Sequence, residues 1–164
     1  MNHQNPSYKF ISRLKWPDVF VLFLIPAIIA IAVALFVYYY GNVIALFDAL
    51  TNSIPVVSSI MMGFIATILV ASLSESGVFH IMKEKQKDEC VNMYMVFVSG
   101  LFFTFYIDIV LLVVGIIIGP LFGDSDLFTI VLGLILLLYL LVCSLVLFMK
   151  NMGRLYQVIC YENR

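Results

Sequence analysis

Four long apolar runs leave this chain few ways to fold. Val19 to Tyr40, Ile54 to about Leu73 and Leu127 to about Met149 carry no charged residue, and Phe97 to Ile118 carries only Asp108. An α-helix needs roughly 20 apolar residues to cross a bilayer, and these runs have that length. In lipid the backbone must satisfy its own hydrogen bonds, and apolar segments this long do so as helices. The predicted fold class is therefore all-α: a polytopic membrane protein with four transmembrane helices, at about 19–40, 54–73, 97–118 and 127–149, with a charged cytosolic hairpin at 76–90. Composition agrees, because 63% of residues are hydrophobic and 12% charged, against roughly 45–50% and 25% in soluble domains. The 164 residues read as one such domain, 1–164, with no room for a second.

Charge placement orients the spans. Lys9, Arg13 and Lys15 precede the first span, Lys83, Lys85 and Lys87 lie in the hairpin, and Lys150, Arg154 and Arg164 follow the fourth; these are all nine basic residues. A four-span chain puts them on one side, while the opposite loops hold Asp48, Asp124 and Asp126. By the positive-inside rule both termini and the hairpin are cytoplasmic. The first run is too long for a signal peptide and no small-residue cleavage pattern closes it. Cys90, Cys143 and Cys160 are odd in number and imply no disulfide framework.

Local patterns fill in the spans. Tyr8 to Trp16 reads as a short juxtamembrane turn at the headgroups, and Tyr38, Tyr39 and Tyr40 as an aromatic belt at the far interface. Pro26, inside the first span, frees a carbonyl that a neighbouring helix must cover. Val43, Leu46, Phe47 and Leu50 recur at helical spacing within Gly41 to Ser53, predicting a short amphipathic helix ahead of the second span. In that span Ser59, Gly63, Thr67 and Ala71 fall four apart, a small stripe that lets another helix approach closely, in the same chain or a second copy. The hairpin carries Lys83, Glu84, Lys85, Lys87, Asp88 and Glu89, a solvated turn or a docking site for a cytosolic protein in company with Arg154 of the tail. Its mixed sign does not suit direct nucleic-acid binding. Gly119 to Asp126 reads as an outer turn, with Pro120 and Gly123 as breakers, and Leu155, Val158 and Ile159 extend a helical pattern into the tail.

Asp108 is the one acid within a span, and a carboxylate there costs roughly 2.5–3.5 kcal/mol on insertion scales unless it is paired, protonated or wetted. No Lys or Arg lies inside a predicted span, so its candidate partners are hydroxyls: Thr104 and Tyr106 nearby, Thr67, or Tyr139 and Ser144 on the fourth span. Three arrangements answer that cost: a protonated Asp108 bonded between helices, a ring of Asp108 from several copies lining a wet cation path, or a proton-coupled switch. A span shifted so that the acid nears the outer interface is a further alternative. Enzymatic chemistry is not expected. His3 and His80 have no ligand spacing with the cysteines, no phosphate loop or nucleophile elbow is present, and Asp108 has no second acid or base at its depth. No cofactor or metal is implied.

The order of features resembles the small four-span membrane proteins of bacterial anti-phage systems, the Kiwa (KwaA-type) membrane subunits and the RexB-type phage exclusion proteins. The basic start from Lys9 to Lys15, the small-residue span around Gly63, the hairpin Lys83 to Glu89 running into Tyr94-Met95-Val96, and the tail around Leu155-Tyr156-Gln157 carry the likeness. It implies a homo-oligomeric component of the bacterial inner membrane that responds to phage infection. A Kiwa-like subunit passes the signal to a cytosolic DNA-binding partner, whereas an exclusion-like protein depolarises the membrane as a channel. No motif aligns position by position, so no functional residue is carried over. The expected roles are a sensor or anchor that self-associates and recruits a cytosolic effector, a pore-forming effector, or a structural subunit of a larger membrane complex.

Overall fold

The computed structural model describes residues 20–73, 93–123 and 125–162. A π-helical turn, Phe20–Leu24, runs into α1 (Ile25–Tyr40), followed by α2 (Val43–Leu73), α3 (Met93–Phe122) and α4 (Leu127–Glu162). The structure is all-helical, with four helices long and apolar enough to cross a membrane, over Phe20–Tyr40, Val43–Ser72, Val96–Phe122 and Leu127–Tyr156. The juxtamembrane start and the hairpin at 76–90 lie outside the described residues.

Three helices run further than the spans read from hydropathy. The short amphipathic helix expected ahead of the second span is the first third of α2, which continues through Pro55 without a break. The physical reason is a single inward stripe. Val43, Phe47, Ile54, Ser58, Met61 and Ile65 are all buried, in steps that keep them on one face of one helix. Pro55 lacks the N–H that would bond Thr51, but packing of both flanking turns outweighs that loss. In the same way α3 passes through Gly119 and Pro120 to Phe122, so the expected turn is shorter. It closes with Gly123 N–H on the Gly119 carbonyl at 2.9 Å and Ser125 N–H on the Phe122 carbonyl at 3.1 Å. The fourth helix continues past Met149 to Glu162.

Proline has a different effect at the start of α1. Pro26 offers no N–H to the carbonyl four residues back, that of Leu22, and its ring crowds that carbonyl. The chain adopts the wider π turn just there. The Leu22 carbonyl instead receives the Cys143 thiol from α4 at 3.5 Å. A neighbouring helix thus covers the freed carbonyl, as the sequence requires, and the neighbour is α4.

The third helix is central, packed on both α2 and α4, while α1 lies against α4 and meets α2 only slightly. Because lipid is as apolar as leucine, helices associate in a bilayer through close fit rather than hydrophobic gain. Gly115 supplies such a fit, since a β-carbon there would stand 2.7 Å from Ile54 Cγ2 of α2. One apolar cluster, around Phe47, Ile54, Leu111, Ile118, Leu134 and Leu137, fills the half of the bundle near the α1–α2 and α3–α4 turns. A second, of Ile65, Tyr94, Phe97 and Leu101, fills the other half. Along α3 the fully buried residues between these clusters, Thr104 and Asp108, are polar.

Candidate functional site

Gly100, Thr104 and Asp108 follow one another at four-residue steps, so they form one ridge on the buried face of α3. On α4, Ser144 and Asn151 stand seven residues apart, two turns on the same face, and Arg154 follows one turn later. The two helices are antiparallel neighbours, and the ridges meet.

Asp108 is 0% exposed. Its Oδ1 and the Ser144 hydroxyl share a hydrogen bond, while Oδ2 is buried with no hydrogen-bond partner among the described residues. Ser144 Oγ also lies 3.8 Å from Met61 Sδ of α2, so three helices converge on one hydroxyl. Ser58, one turn from Met61, is likewise buried, and its hydroxyl has no hydrogen-bond partner among the described residues.

One turn along α3, Thr104 Oγ1 donates to the Gly100 carbonyl at 2.9 Å and accepts from Asn151 Nδ2 at 2.9 Å. Asn151 Oδ1 in turn accepts from Arg154 Nη1 at 3.3 Å. Only glycine fits beneath this group: a β-carbon at Gly100 would collide with Asn151 Oδ1 and stand 3.2 Å from Arg154 Nη1. The result is a polar column from Arg154 through Asn151 to Thr104, with the Asp108–Ser144 pair one turn deeper. A last cross-helix bond, Tyr94 Oη donating to the Ser72 carbonyl at 2.8 Å, ties the start of α3 to the end of α2.

The structure sorts the residues singled out from sequence. Asp108, Thr104 and Ser144 belong to the layer. Tyr106 does not: it is 60% exposed, because two residues along a helix is more than half a turn away from Asp108. Thr67 is also no partner, its hydroxyl donating to the Gly63 carbonyl of its own helix at 2.8 Å. Nor is Tyr139 a partner, since the one hydrogen bond of the Asp108 carboxyl among the described residues is to Ser144. Ser59, Gly63, Thr67 and Ala71 all lie on the exposed side of α2, and a β-carbon at Gly63 would meet nothing within 4 Å. The stripe therefore does not serve the contacts between α2 and α3. Arg154, expected in docking, is half-buried and caps the polar column. Lys83, Glu84, Lys85, Lys87, Asp88 and Glu89 lie outside the described residues.

Sequence reading missed Gly100, Asn151, Met61 and Ser58. Asn151 fell beyond the assumed end of the fourth span, yet its spacing from Ser144 and Leu147 continues the stripe of Ile130, Leu134 and Leu137, and that signal was readable. Among the described residues no three His, Cys, Asp or Glu side chains gather as metal ligands. At the far end of α4, Asp126 accepts from the Thr129 hydroxyl at 2.6 Å. That bond, helped by backbone amides of the first turn, holds its carboxyl below the ordinary value of 3.8. No family model, no curated protein and no solved structure matches this chain.

Proposed function

We propose that this chain is a multi-pass protein of the bacterial inner membrane, with both termini cytoplasmic, that acts as a sensor or anchor in anti-phage defence. It self-associates and holds a cytosolic protein effector. The defence setting follows from the resemblance to Kiwa-type subunits, and the orientation from the nine basic residues.

The observation that carries the anchoring role is the length of α4. Its 36 residues extend about 54 Å at 1.5 Å per residue, whereas the hydrocarbon core is about 30 Å thick. Its Arg154 end therefore stands clear of the lipid as a rod, and the bond of Asn151 to Thr104, with Arg154 held on Asn151, joins that rod to α3. A partner bound to its end is mechanically connected to the bundle. Self-association is supported by the small stripe Ser59, Gly63, Thr67 and Ala71, which faces outward. Its two hydroxyls already bond their own helix, Ser59 on the Pro55 carbonyl at 2.7 Å and Thr67 on that of Gly63, so a second helix meets no unsatisfied donor.

The pore reading requires Asp108 on a face open to other copies. Its burial among α2, α3 and α4 of one chain weighs against that. Two measurements on one preparation test the proposal: affinity capture from the native host with a Lys83/Lys85/Lys87 charge-reversal control, and ion flux in liposomes. A specific cytosolic protein lost on charge reversal, with no flux, supports the anchor. Flux removed by Asp108→Asn makes the protein a channel instead.

A further inference from the structure

Ser144 has one hydroxyl hydrogen and two acceptors within reach, Asp108 Oδ1 on α3 and Met61 Sδ on α2. Which one it serves depends on the state of the acid. If Asp108 is neutral, its O–H donates to Ser144 Oγ and the Ser144 hydrogen turns to Met61, giving an unbroken chain from α3 through α4 to α2. If Asp108 is ionised, Ser144 must give its hydrogen to the carboxylate, the Met61 contact loses its donor, and Oδ2 is a buried charged oxygen with no donor at all. A buried charge without partners is far costlier than a buried carbonyl oxygen in the same place. The observed packing therefore matches the neutral acid, and the ionised acid is matched by a packing that lets donors or water reach Oδ2.

We propose that Asp108 is a proton-binding site, and that loading and release of one proton there sets how tightly α4 is held against α2 and α3. On release the proton passes to water, Ser144 turns from Met61 to the carboxylate, and the contact between α2 and α4 loosens. The titratable and charged groups of the surrounding elements are placed elsewhere. On α2, Asp48 is exposed near the start of the helix. On α3, Tyr94 bonds Ser72 and Tyr106 is exposed. On α4, the Cys143 thiol meets the Leu22 carbonyl, Tyr139 stands one turn before it, and Lys150 and Arg154 lie further along the helix. None of these bonds Asp108, whose one hydrogen bond among the described residues is to Ser144. The site stands whether or not a cytosolic partner exists, so it succeeds or fails apart from the anchoring role.

The test is infrared spectroscopy of the full chain in liposomes over a pH series, read beside amide hydrogen exchange. At neutral pH the wild type shows the carbonyl stretch of a buried protonated carboxyl, absent in Asp108→Asn and displaced in Ser144→Ala. Raising the pH removes the band, and the protection of α4 amides from Ser144 to Asn151, their exchange corrected for its intrinsic base catalysis, falls in step, by about tenfold for each pH unit of linkage. Should Asp108→Asn not fold, isotopic labelling of aspartate carboxyls together with Ser144→Ala assigns the band. The proposal is overturned if no protonated band exists in the folded protein, if the band persists until denaturation, or if it titrates while exchange in α4 stays unchanged.

Discussion

Two sets of small residues on neighbouring helices meet opposite fates. On α2, Ser59, Gly63, Thr67 and Ala71 recur with a regular four-residue step and lie on the exposed side. On α3, Gly100 and Gly115 fit no such repeat, and each is a place where a β-carbon would strike another helix. Small residues permit close approach, but a neighbour arrives only where its own side chains fill the gap. Ile54 fills it at Gly115, and Asn151 with Arg154 fills it at Gly100. The regular stripe is left for a second copy or for lipid, and the irregular one builds the bundle.

Substitutions at the two sets should separate sharply. Gly115→Val and Gly100→Val each force overpacking, with an expected cost of about 2–3 kcal/mol, read as loss of folded protein in denaturant titrations in detergent. If either is tolerated, the close approach on α3 is not needed. Next comes the polar column: Asn151→Leu removes the donor to Thr104 and the acceptor of Arg154, with an expected loss of about 1–2 kcal/mol. Gly63→Val should change monomer stability by no more than about 0.5 kcal/mol, yet lower the fraction of oligomer in chemical crosslinking. Equal damage at Gly63 and Gly115 would erase the distinction between the stripes.

The smallest effect concerns Asp126. Its carboxyl is held below 3.8 when folded, so its contribution is complete above the ordinary carboxylate value and disappears as pH falls through the lowered one. The protection of amides in the first turn of α4, their exchange corrected for its intrinsic pH dependence, should fall over that acidic window in the wild type, and should not in Asp126→Ala.

Much of the architecture was legible because lipid imposes a simple rule on composition: an uncharged run near 20 residues reads as a span. Helix ends were less legible. Pro120 reads as a breaker in the sequence, but α3 continues through it to Phe122, as α2 continues through Pro55. Asp108 stood out for its cost in lipid, and Ser144 was among its candidate partners. The choice among Ser144, Tyr139, Thr67 and Tyr106 depended on helix rotation and on which helices are neighbours, which no local pattern contains. Asn151 is invisible to hydropathy, which ends the fourth span near Met149, whereas the buried stripe of α4 runs on through it.

Asp108 is sealed within a single chain. Cysteine crosslinking tests it directly, in a background with Cys90, Cys143 and Cys160 replaced by alanine. Asp108→Cys combined with Ser144→Cys should oxidise to an intrachain disulfide, leaving a monomer of altered mobility, while Asp108→Cys alone should give no dimer. A disulfide-linked dimer formed through Asp108→Cys alone would place the acid between chains and contradict the claim.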